Sequence, residues 1–229
     1  PLGLTPEPES ERLTALYDYQ ILDTPPEPAF DDLARLSAEL CGAPIGLITF
    51  VDRDRVWLKA RVGLEVQSMP RPLAICSVAF QQDEPLIVSD LALDPRFAAH
   101  PLVAVPDGLR FYAGVPLRTE GGHALGVLCV MDRTARMLTP QQVSALRILS
   151  RQVMTQLELR RNLRRLEQSL QNHERTEAAL AEAEEKYRSI FENVVEGIFL
   201  TSPEGRYLSA NPMLARIYGY ASVDELIGA

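Results

Sequence analysis

The spacing of apolar residues predicts two amphipathic helices followed by a buried hairpin. Apolar side chains recur every three or four positions from Leu13 and again from Phe30, and Gly42 ends the second helix. Residues 44–51 are continuously apolar and rich in β-branched side chains, whereas residues 56–62 alternate, so we expect two paired strands. The second helix would bury Phe30, Leu33, Leu36 and Leu40, and the alternation places Val56, Leu58, Ala60 and Val62 on the face opposite Trp57, Lys59 and Arg61.

The middle of the chain is less regular and predicts a long loop between short elements. We expect a short helix around Cys76 and a short strand at residues 86–88. Residues 90–108 hold three prolines and no clear period, and a loop of that length inside a compact domain is commonly functional. Residues 110–117 and 124–131 have the composition of two further strands. The pattern predicts an α+β fold, an antiparallel sheet with flanking helices.

A long helix follows the sheet. Residues 141–196 contain no glycine or proline and consist mostly of strong helix formers. Thr139 is suited to the N-cap position and Pro140 to the first helical turn. A helix of about 45–50 residues would be roughly 70 Å long, too long to be buried in one domain of this size. We therefore expect it to leave its own domain and to connect it to another.

The apolar stripe on this helix changes position near residue 158. Leu149, Val153 and Leu157 follow one stripe, which predicts packing on the preceding domain. A second stripe follows heptad spacing and predicts a coiled coil through which the chain forms a homodimer. Its members are Leu159, Leu163, Leu166 and Leu170. An inert spacer helix is the alternative interpretation.

Charge and composition narrow the classes of partner. The net charge of −8 disfavours a general nucleic-acid binder, because such a protein needs a basic face. No apolar run is long enough for a membrane span, so we expect no membrane contact and a cytoplasmic location. Residues 1–8 are rich in proline and glutamate and are predicted to be disordered, and the sequence reads as a fragment of a larger chain. Cys41, Cys76 and Cys129 lie far apart in sequence, which predicts free buried thiols and no metal site.

The segments ERLTALYDYQILDTPPEPAFDDLARLSAELCGAPIGLITFVDRDRVWLKARVGL, DPRFAAHPLV, LRFYAGVPL and HALGVLCVMD resemble a bacterial GAF domain over residues 9–158. The resemblance implies a central antiparallel sheet with helices on one side. It also implies a small-molecule pocket, roofed by loops, on the other side. GAF domains are regulatory, so the resemblance implies sensing of a ligand or dimerisation, followed by a signal to an output domain.

The segment EEKYRSIFENVVEGIFLTSPEGRYLSANPMLARIYGY resembles the opening of a PAS domain, which would occupy residues 184–229. Strands are expected at residues 197–201 and 206–209, and the family's three later strands are absent, which predicts a truncated, partly ordered or swapped second lobe. Residues 159–183 would form the intervening coiled-coil signalling helix. This order resembles the sensory half of a histidine kinase or a diguanylate cyclase, so catalysis would belong to the parent chain.

Cys76 is the most distinctive candidate site residue. Many GAF domains of the resembled subgroup carry phenylalanine, cysteine, alanine and histidine here, whereas this chain has Ile75, Cys76, Ser77 and Val78. Because the histidine is missing, a buried structural thiol is favoured, redox sensing stays open and covalent attachment of a bilin is disfavoured. Further residues that could line a ligand pocket are Trp57, Asp90, Arg96, Phe97, Arg110, Phe111 and Tyr112.

Two of these candidates, Arg96 and Arg110, could pair with an anionic ligand, although all seven could instead only brace loops or pack. The leading hypothesis is a non-catalytic sensor of an unknown small molecule, with no cofactor assigned. The resemblance also admits an enzyme that reduces free methionine sulfoxide with paired cysteines, but Cys76 and Cys129 are 53 positions apart in sequence (129 − 76). A pure dimerisation scaffold with a filled pocket is the third interpretation.

Overall fold

The computed structural model describes residues 9–228, so the prediction of a disordered N-terminus at residues 1–8 lies outside the described residues. The chain divides into two compact units between Arg164 and Arg165. The long helix α4 (Pro140–Asn193) contributes to both units.

The first unit is built on a six-stranded antiparallel sheet in the order β3-β2-β1-β6-β5-β4. This architecture confirms the predicted α+β fold with an antiparallel sheet and flanking helices. Its elements are α1 (Glu9–Asp18), α2 (Pro28–Cys41), β1 (Ile45–Val51), β2 (Arg55–Val62), β3 (Ser68–Pro70), a 3-10 turn (Arg71–Leu73), α3 (Cys76–Ala79), β4 (Leu86–Val88), β5 (Phe111–Arg118), β6 (Ala124–Asp132) and the first part of α4.

Both faces of this sheet are covered. Every residue of β1 and of β6 is buried, which explains why these strands have continuous apolar sequences. One face packs on α1, α2 and the first part of α4 through large side chains such as Phe30, Phe50 and Trp57. The other face packs on α3 and on the segments around β4 through residues that include Leu58, Phe80 and Phe97. We call these the helix face and the loop face.

The buried side of α2 differs from the prediction. Phe30 is buried as expected, but Leu36 and Leu40 are more than 40% exposed, and Ala34 and Ala38 face the sheet instead. The reason is the close approach of α2 to β1. A Cβ added to Gly46 would lie 2.4 Å from the carbonyl oxygen of Ala34, so only small side chains fit between the two elements.

The predicted alternation of β2 is interrupted by one extra residue. Ile48 pairs with Ala60 and Thr49 pairs with Leu58, so Lys59 has no partner of its own in β1. After this bulge the two faces exchange, and Ala60 packs on the helix face with Trp57. The prediction that Ala60 shares a face with Val56 and Leu58 was therefore wrong.

Helix α4 begins as predicted at Thr139 and Pro140. The Thr139 hydroxyl oxygen accepts a hydrogen bond from the Gln142 backbone N–H (3.2 Å), and the Gln142 side-chain oxygen accepts one from the Thr139 N–H (2.9 Å). This reciprocal pair satisfies two backbone donors at the start of the helix. The helix then buries one stripe on the sheet, which consists of Leu146, Leu149, Val153 and Leu157.

The second unit contains the rest of α4 and a small α/β segment. A two-stranded antiparallel hairpin, β7 (Phe199–Thr201) and β8 (Tyr207–Ala210), precedes the helices α5 (Pro212–Tyr218) and α6 (Val223–Gly228). Its buried apolar core consists of Ala210, Leu214, Ala215 and Leu226. Within residues 9–228, no helix combines the length and the apolar character needed to cross a bilayer.

Candidate functional site

A cavity of about 310 Å³ lies on the loop face of the first unit. Strands β1, β2, β3 and β6 line it together with the segments at residues 64–66, 74–76 and 102–109. Its lining is almost wholly aliphatic and includes Ile45, Leu47, Val56, Leu58, Leu64, Val66, Met69, Ala74, Ile75, Leu102, Val105, Leu109 and Met131. The cavity therefore lies where the sequence predicts a pocket covered by loops.

Three of the remaining lining residues carry polar or ionisable groups. The Thr49 hydroxyl donates a hydrogen bond to the Val127 carbonyl oxygen (3.1 Å), so its proton is already used. The Cys76 thiol is buried beside Cys129 and Tyr112. Among the described residues, Arg133 is the only charged one that lines the cavity. Its exposed guanidinium donates a hydrogen bond to the backbone carbonyl oxygen of Asp107, next to Gly108 in the cavity lining.

Two cysteines that are distant in sequence meet beneath this cavity. The Sγ atoms of Cys76 and Cys129 are 3.5 Å apart, and the Tyr112 hydroxyl donates a hydrogen bond to the Cys76 Sγ at the same distance. Gly114 makes this arrangement possible, because a Cβ there would lie 2.4 Å from the Tyr112 hydroxyl oxygen. All three reactive groups are fully buried or nearly so.

The thiol–thiol hydrogen bond shifts the pKa values of the two cysteines in opposite directions. The bond from Cys129 lowers the pKa of Cys76 to about 7 despite burial, and the Tyr112 hydroxyl helps. The same hydrogen bond and burial raise the pKa of Cys129. Burial, with a contribution from the two cysteines, raises the pKa of Tyr112 as well. The hydrogen-bonded pair therefore loses one proton first and holds the second more tightly.

This cysteine pair was not predicted from the sequence, because its members are 53 positions apart. The register of the sheet contains the signal that could have found it. Cys129 pairs with Gly114 in the neighbouring strand, two residues after Tyr112, so a correct alignment of β5 with β6 places Tyr112 and Cys129 on one face.

The structure separates the predicted pocket residues. Cys76 lines the cavity. Tyr112 and Phe97 belong to the same loop-face core without lining the cavity. Trp57 and Phe111 lie on the helix face, on the other side of the sheet. The structure thus brings only Cys76 of this group to the cavity wall, and a binding role for the others stays a prediction.

The two predicted arginines and their acidic neighbours form local ion pairs. Arg96 pairs with Asp94 (2.6 Å), which lowers the pKa of the Asp94 carboxyl through its hydrogen bond. Arg110 lies 3.5 Å from Asp90, whose carboxylate also accepts a hydrogen bond from the Ala92 backbone N–H. These contacts are those expected of residues that brace the loop after β4, the alternative that the sequence left open.

The predicted dimer stripe lies on the exposed side of α4. Leu159, Leu163, Leu166 and Leu170 are each 51–58% exposed within the single chain. Four leucines in heptad register on one exposed helix face form a surface of the kind that coiled coils bury. The stripe begins two residues after Leu157, the last buried apolar residue of the helix.

On another side of α4, near the start of this stripe, the segment between α1 and α2 contacts the helix. The Glu27 carboxylate accepts hydrogen bonds from Lys59 Nζ of β2 (2.6 Å) and from Arg160 Nε of α4 (3.0 Å). Lys59 Nζ also donates to the Thr24 hydroxyl and the Pro25 carbonyl oxygen, and its side chain is fully buried. We call Glu27, Lys59 and Arg160 the sheet–helix joint.

A second group of contacts reinforces this joint. The Tyr19 hydroxyl donates a hydrogen bond to Glu158, and the Arg161 guanidinium lies over the Tyr19 ring while pairing with Asp18. Burial and the bond to Glu158 raise the pKa of Tyr19. Residues 18–27 therefore hold α4 where its buried stripe ends.

Comparison with protein families gives two matches. A model of the GAF domain matches residues 25–157, and a model of a PAS domain matches residues 185–229. The matches lie in the order predicted from the sequence, with α4 between the sheet of the first unit and the hairpin of the second. Among the described residues, no group of three histidine, cysteine or acidic side chains could hold a metal ion.

Two curated relatives are signalling proteins. A cyclic di-GMP phosphodiesterase of Pseudomonas aeruginosa is 34% identical over 159 residues, which cover 68% of this chain and 27% of the relative. The sensor histidine kinase TmoS of Ectopseudomonas mendocina is 38% identical over 60 residues, which cover 26% of this chain and 6% of the kinase. The chain thus spans about a quarter or less of the length of these relatives.

Solved structures include similar domains. The GAF domain of an Acinetobacter phosphoenolpyruvate-protein phosphotransferase matches with a TM-score of 0.49 and 19% identity, covering 66% of this chain and 92% of that domain. A free methionine-R-sulfoxide reductase of Neisseria meningitidis matches with the same TM-score and identity, covering 71% of this chain and 98% of the reductase.

Proposed function

Because this chain belongs to the GAF domain family and continues into a PAS domain, we propose that it senses a small ligand in its apolar cavity and transmits the signal through α4. The single observation that supports this proposal best is the cavity itself, about 310 Å³ enclosed by the sheet and the 102–109 segment. A pure scaffold would have a filled pocket at this position, so the open cavity argues against that alternative.

The structure suggests a route from the cavity to the helix. Strand β2 contributes Leu58 to the cavity lining and the next residue, Lys59, to the sheet–helix joint. A ligand that shifts β2 would therefore displace the Lys59 ammonium from Glu27 and so alter the hold on Arg160. A coupling of this kind needs a ligand that binds the two arrangements with different affinity.

We further propose that α4 forms a homodimeric coiled coil. The GAF domain would occupy residues 9–158, the signalling coil residues 159–183 and the incomplete PAS domain residues 184–229. The exposed leucine stripe supports this division, because burial against a second copy would remove its apolar surface from water. In the parent protein the output would be a histidine kinase or an enzyme of cyclic di-GMP turnover, the two kinds of activity that its curated relatives carry in their names.

Native mass spectrometry tests both parts of this proposal. The purified chain is expected to be a dimer that retains a small molecule. A double variant, Leu163→Glu with Leu166→Glu, places charges in the seam and should be a monomer that keeps the molecule, because the substituted residues lie outside the cavity. A wild-type chain that stays monomeric at high concentration would refute the coil, whatever ligand it carries.

A second candidate function, redox sensing, is supported by the Cys76–Cys129 pair. A peroxide would oxidise the Cys76 thiolate to a sulfenic acid, with cleavage of the O–O bond and release of the alcohol or water. The Cys129 sulfur would then attack the Cys76 sulfur, and water would leave as the disulfide forms. The pair thereby loses two electrons and two protons. The starting sulfur–sulfur distance of 3.5 Å requires only a small approach of α3 and β6.

Peptide mapping after mild peroxide treatment distinguishes this function. We expect a Cys76–Cys129 disulfide, while Cys41 stays reduced because burial raises its pKa to about 11. The Cys129→Ser variant should instead accumulate oxidised Cys76 without a disulfide. Formation of the same disulfide by free methionine sulfoxide, with release of methionine, would favour the reductase alternative. Three free thiols after treatment would rule out both redox functions.

A further inference from the structure

We infer that the ligand of the cavity is an amphipathic anion, with a compact apolar body inside the cavity and one carboxylate-like head group at Arg133. This inference rests on the proposed function, since it assigns a chemical class to the ligand of the same cavity. The inference rests on where the polar groups lie in the cavity lining. The interior is apolar, and Arg133 is the one charged side chain among the described lining residues.

The interior offers almost nothing to a polar body. Its walls are aliphatic, and the Thr49 hydroxyl proton is donated to a backbone carbonyl of β6. The Cys76 sulfur is already hydrogen-bonded to the Cys129 thiol and the Tyr112 hydroxyl. A sugar, a nucleotide base or an amino-acid backbone would leave its own donors and acceptors unsatisfied here, at a cost that apolar contacts would not offset. An aliphatic or aromatic hydrocarbon body has no such cost.

Arg133 differs from the other arginines near the loop face. Arg96 and Arg110 both have carboxylate partners, so their charges are compensated within the chain. Among residues 9–228, no carboxylate lies within ion-pair distance of Arg133, which donates a hydrogen bond to the backbone carbonyl oxygen of Asp107. A guanidinium has five N–H donors in a planar fork, so most of them remain for a carboxylate.

The surrounding charges set a limit on the head group. Glu65 and Asp107 are neighbours in sequence of the lining residues Leu64, Val66 and Gly108, although neither lines the cavity itself. Each carboxylate is next in sequence to a lining residue, so its charge favours a singly charged head group over one with several charges, such as a phosphate monoester. A head group with a single negative charge can pair with Arg133 and is repelled least by Glu65 and Asp107.

The cavity volume limits the apolar body. At about 310 Å³ the cavity is near the lower end of the range of about 300–1,000 Å³ that is usual for small-molecule pockets. A straight chain of about eight carbons or one substituted aromatic ring suits this volume, whereas a long fatty acyl chain or a tetrapyrrole does not.

Three probes that share one tail and differ in head-group charge test the inference. Isothermal titration calorimetry of the purified full chain would compare octanoate, 1-octanol and octylamine at neutral pH. We expect octanoate to bind about tenfold more tightly than the alcohol, since a hydrogen bond to a charged group has roughly that effect. Octylamine is expected to bind more weakly than the alcohol, because Arg133 repels its ammonium.

Matched substitutions locate the head group. Arg133→Gln should weaken octanoate binding about tenfold and leave octanol binding unchanged, whereas Arg133→Lys should retain part of the preference. Arg35→Gln is the control, because it removes the same charge from an exposed position on α2. This helix packs on the helix face of the sheet, and the cavity lies on the loop face. Arg133 is exposed, so its replacement should not prevent folding, which circular dichroism of the same samples would check.

The possible outcomes distinguish failure of the amphipathic-anion assignment from failure of the proposed sensing function. If octanol binds as tightly as octanoate, or if Arg133→Gln weakens both equally, the cavity is a ligand site but the amphipathic-anion assignment is wrong. If none of the three probes binds and native mass spectrometry finds no retained molecule, the proposed sensing function itself fails. If octanoate binding is unchanged by Arg133→Gln, the anion is held elsewhere and the inference is overturned.

Discussion

Helix α4 carries two apolar stripes, one covered by its own domain and one left exposed in the single chain. The first, which includes Leu149, Val153 and Leu157, is buried on the helix face of the sheet. The second, from Leu159 to Leu170, is more than half exposed in the single chain. Both segments are helical because their residues are strong helix formers without proline or glycine. Within the single chain only the first stripe is buried, so only that stripe stabilises the fold of its own chain.

The largest expected difference comes from the same substitution in each stripe. Leu157→Ala removes buried methyl groups and should lower the free energy of unfolding by about 2–5 kcal/mol. Leu163→Ala should change it by less than about 0.5 kcal/mol in the monomer, since its side chain is exposed there. Urea denaturation at a protein concentration too low for dimerisation measures both values.

Sedimentation at high concentration provides the reciprocal measurement. There Leu163→Ala should weaken self-association, whereas Leu157→Ala, in the fraction that remains folded, should not. Equal losses of stability in the two monomeric variants would mean that the second stripe is buried within its own chain. Both stripes would then stabilise the fold of the single chain, and the second would not be available for a dimer.

Periodicity was sufficient to predict most of the fold. It located both early helices, the β1–β2 hairpin, β5 and β6, because these elements each bury a long apolar face. The start of α4 was predicted instead from the capping preferences of Thr139 and Pro140. Periodicity failed where a single local contact decided the outcome. The close approach of Gly46 to α2 turned two leucines outward, and the extra residue Lys59 reversed the faces of β2.

The candidate site was less predictable for a related reason. The cavity and its residues are assembled from segments distant in sequence, and no local pattern reports such distances. Arg133 lies in the polar turn after β6, where arginine is unremarkable, and only the fold brings it beside residues 102–109. Cys76 and Cys129 similarly meet only through the strand pairing. The exposed leucine stripe was predictable because its spacing is local.

A smaller loss of stability is expected from a substitution in the second unit. Its apolar core is small, and the buried side chain of Asn211 connects its elements by hydrogen bonds. The buried Asn211 side chain accepts hydrogen bonds from the Ile198 and Leu214 backbone N–H groups (both 3.0 Å) and donates one to the Glu196 carbonyl oxygen (2.9 Å). It thereby caps α5 and ties it to the chain before β7. Asn211→Ala should lower the local stability of residues 196–218 by about 2 kcal/mol.

Hydrogen exchange would measure this loss as faster exchange over β7, β8 and α5, with no change in the first unit. Asn172→Ala is the matched control, because Asn172 lies on the exposed part of α4 and alanine favours a helix. Unchanged protection in Asn211→Ala would show that the hairpin is held by contacts other than this side chain. The second unit would then be stabilised, like the first, mainly by its apolar core.

The smallest effect is expected at the sheet–helix joint, which fixes where the buried stripe ends. Glu27→Gln removes the negative charge that Lys59 and Arg160 share, so the buried Lys59 ammonium keeps only neutral oxygen acceptors, among them those of Thr24 and Pro25. We expect a loss of about 1.5 kcal/mol in the free energy of unfolding. Glu39→Gln, an exposed position on α2, makes the same change of charge and should have almost no effect.

The pH dependence of this loss identifies its origin. Burial tends to raise the pKa of Glu27, but the hydrogen bond and charge of Lys59, together with Arg160, outweigh it and lower the pKa below the ordinary value of 4.5. A carboxyl with a lowered folded-state pKa stabilises the fold above its unfolded pKa, and this contribution disappears as the pH falls through the folded value. The stability difference between wild type and Glu27→Gln should therefore be constant from pH 7 to about pH 5 and then shrink with acidification. Glu9, whose bond to Arg12 lowers its pKa to about 2, titrates in both proteins and cancels in the difference. A difference that does not change down to about pH 3 would mean that Glu27 holds α4 through its shape and not its charge.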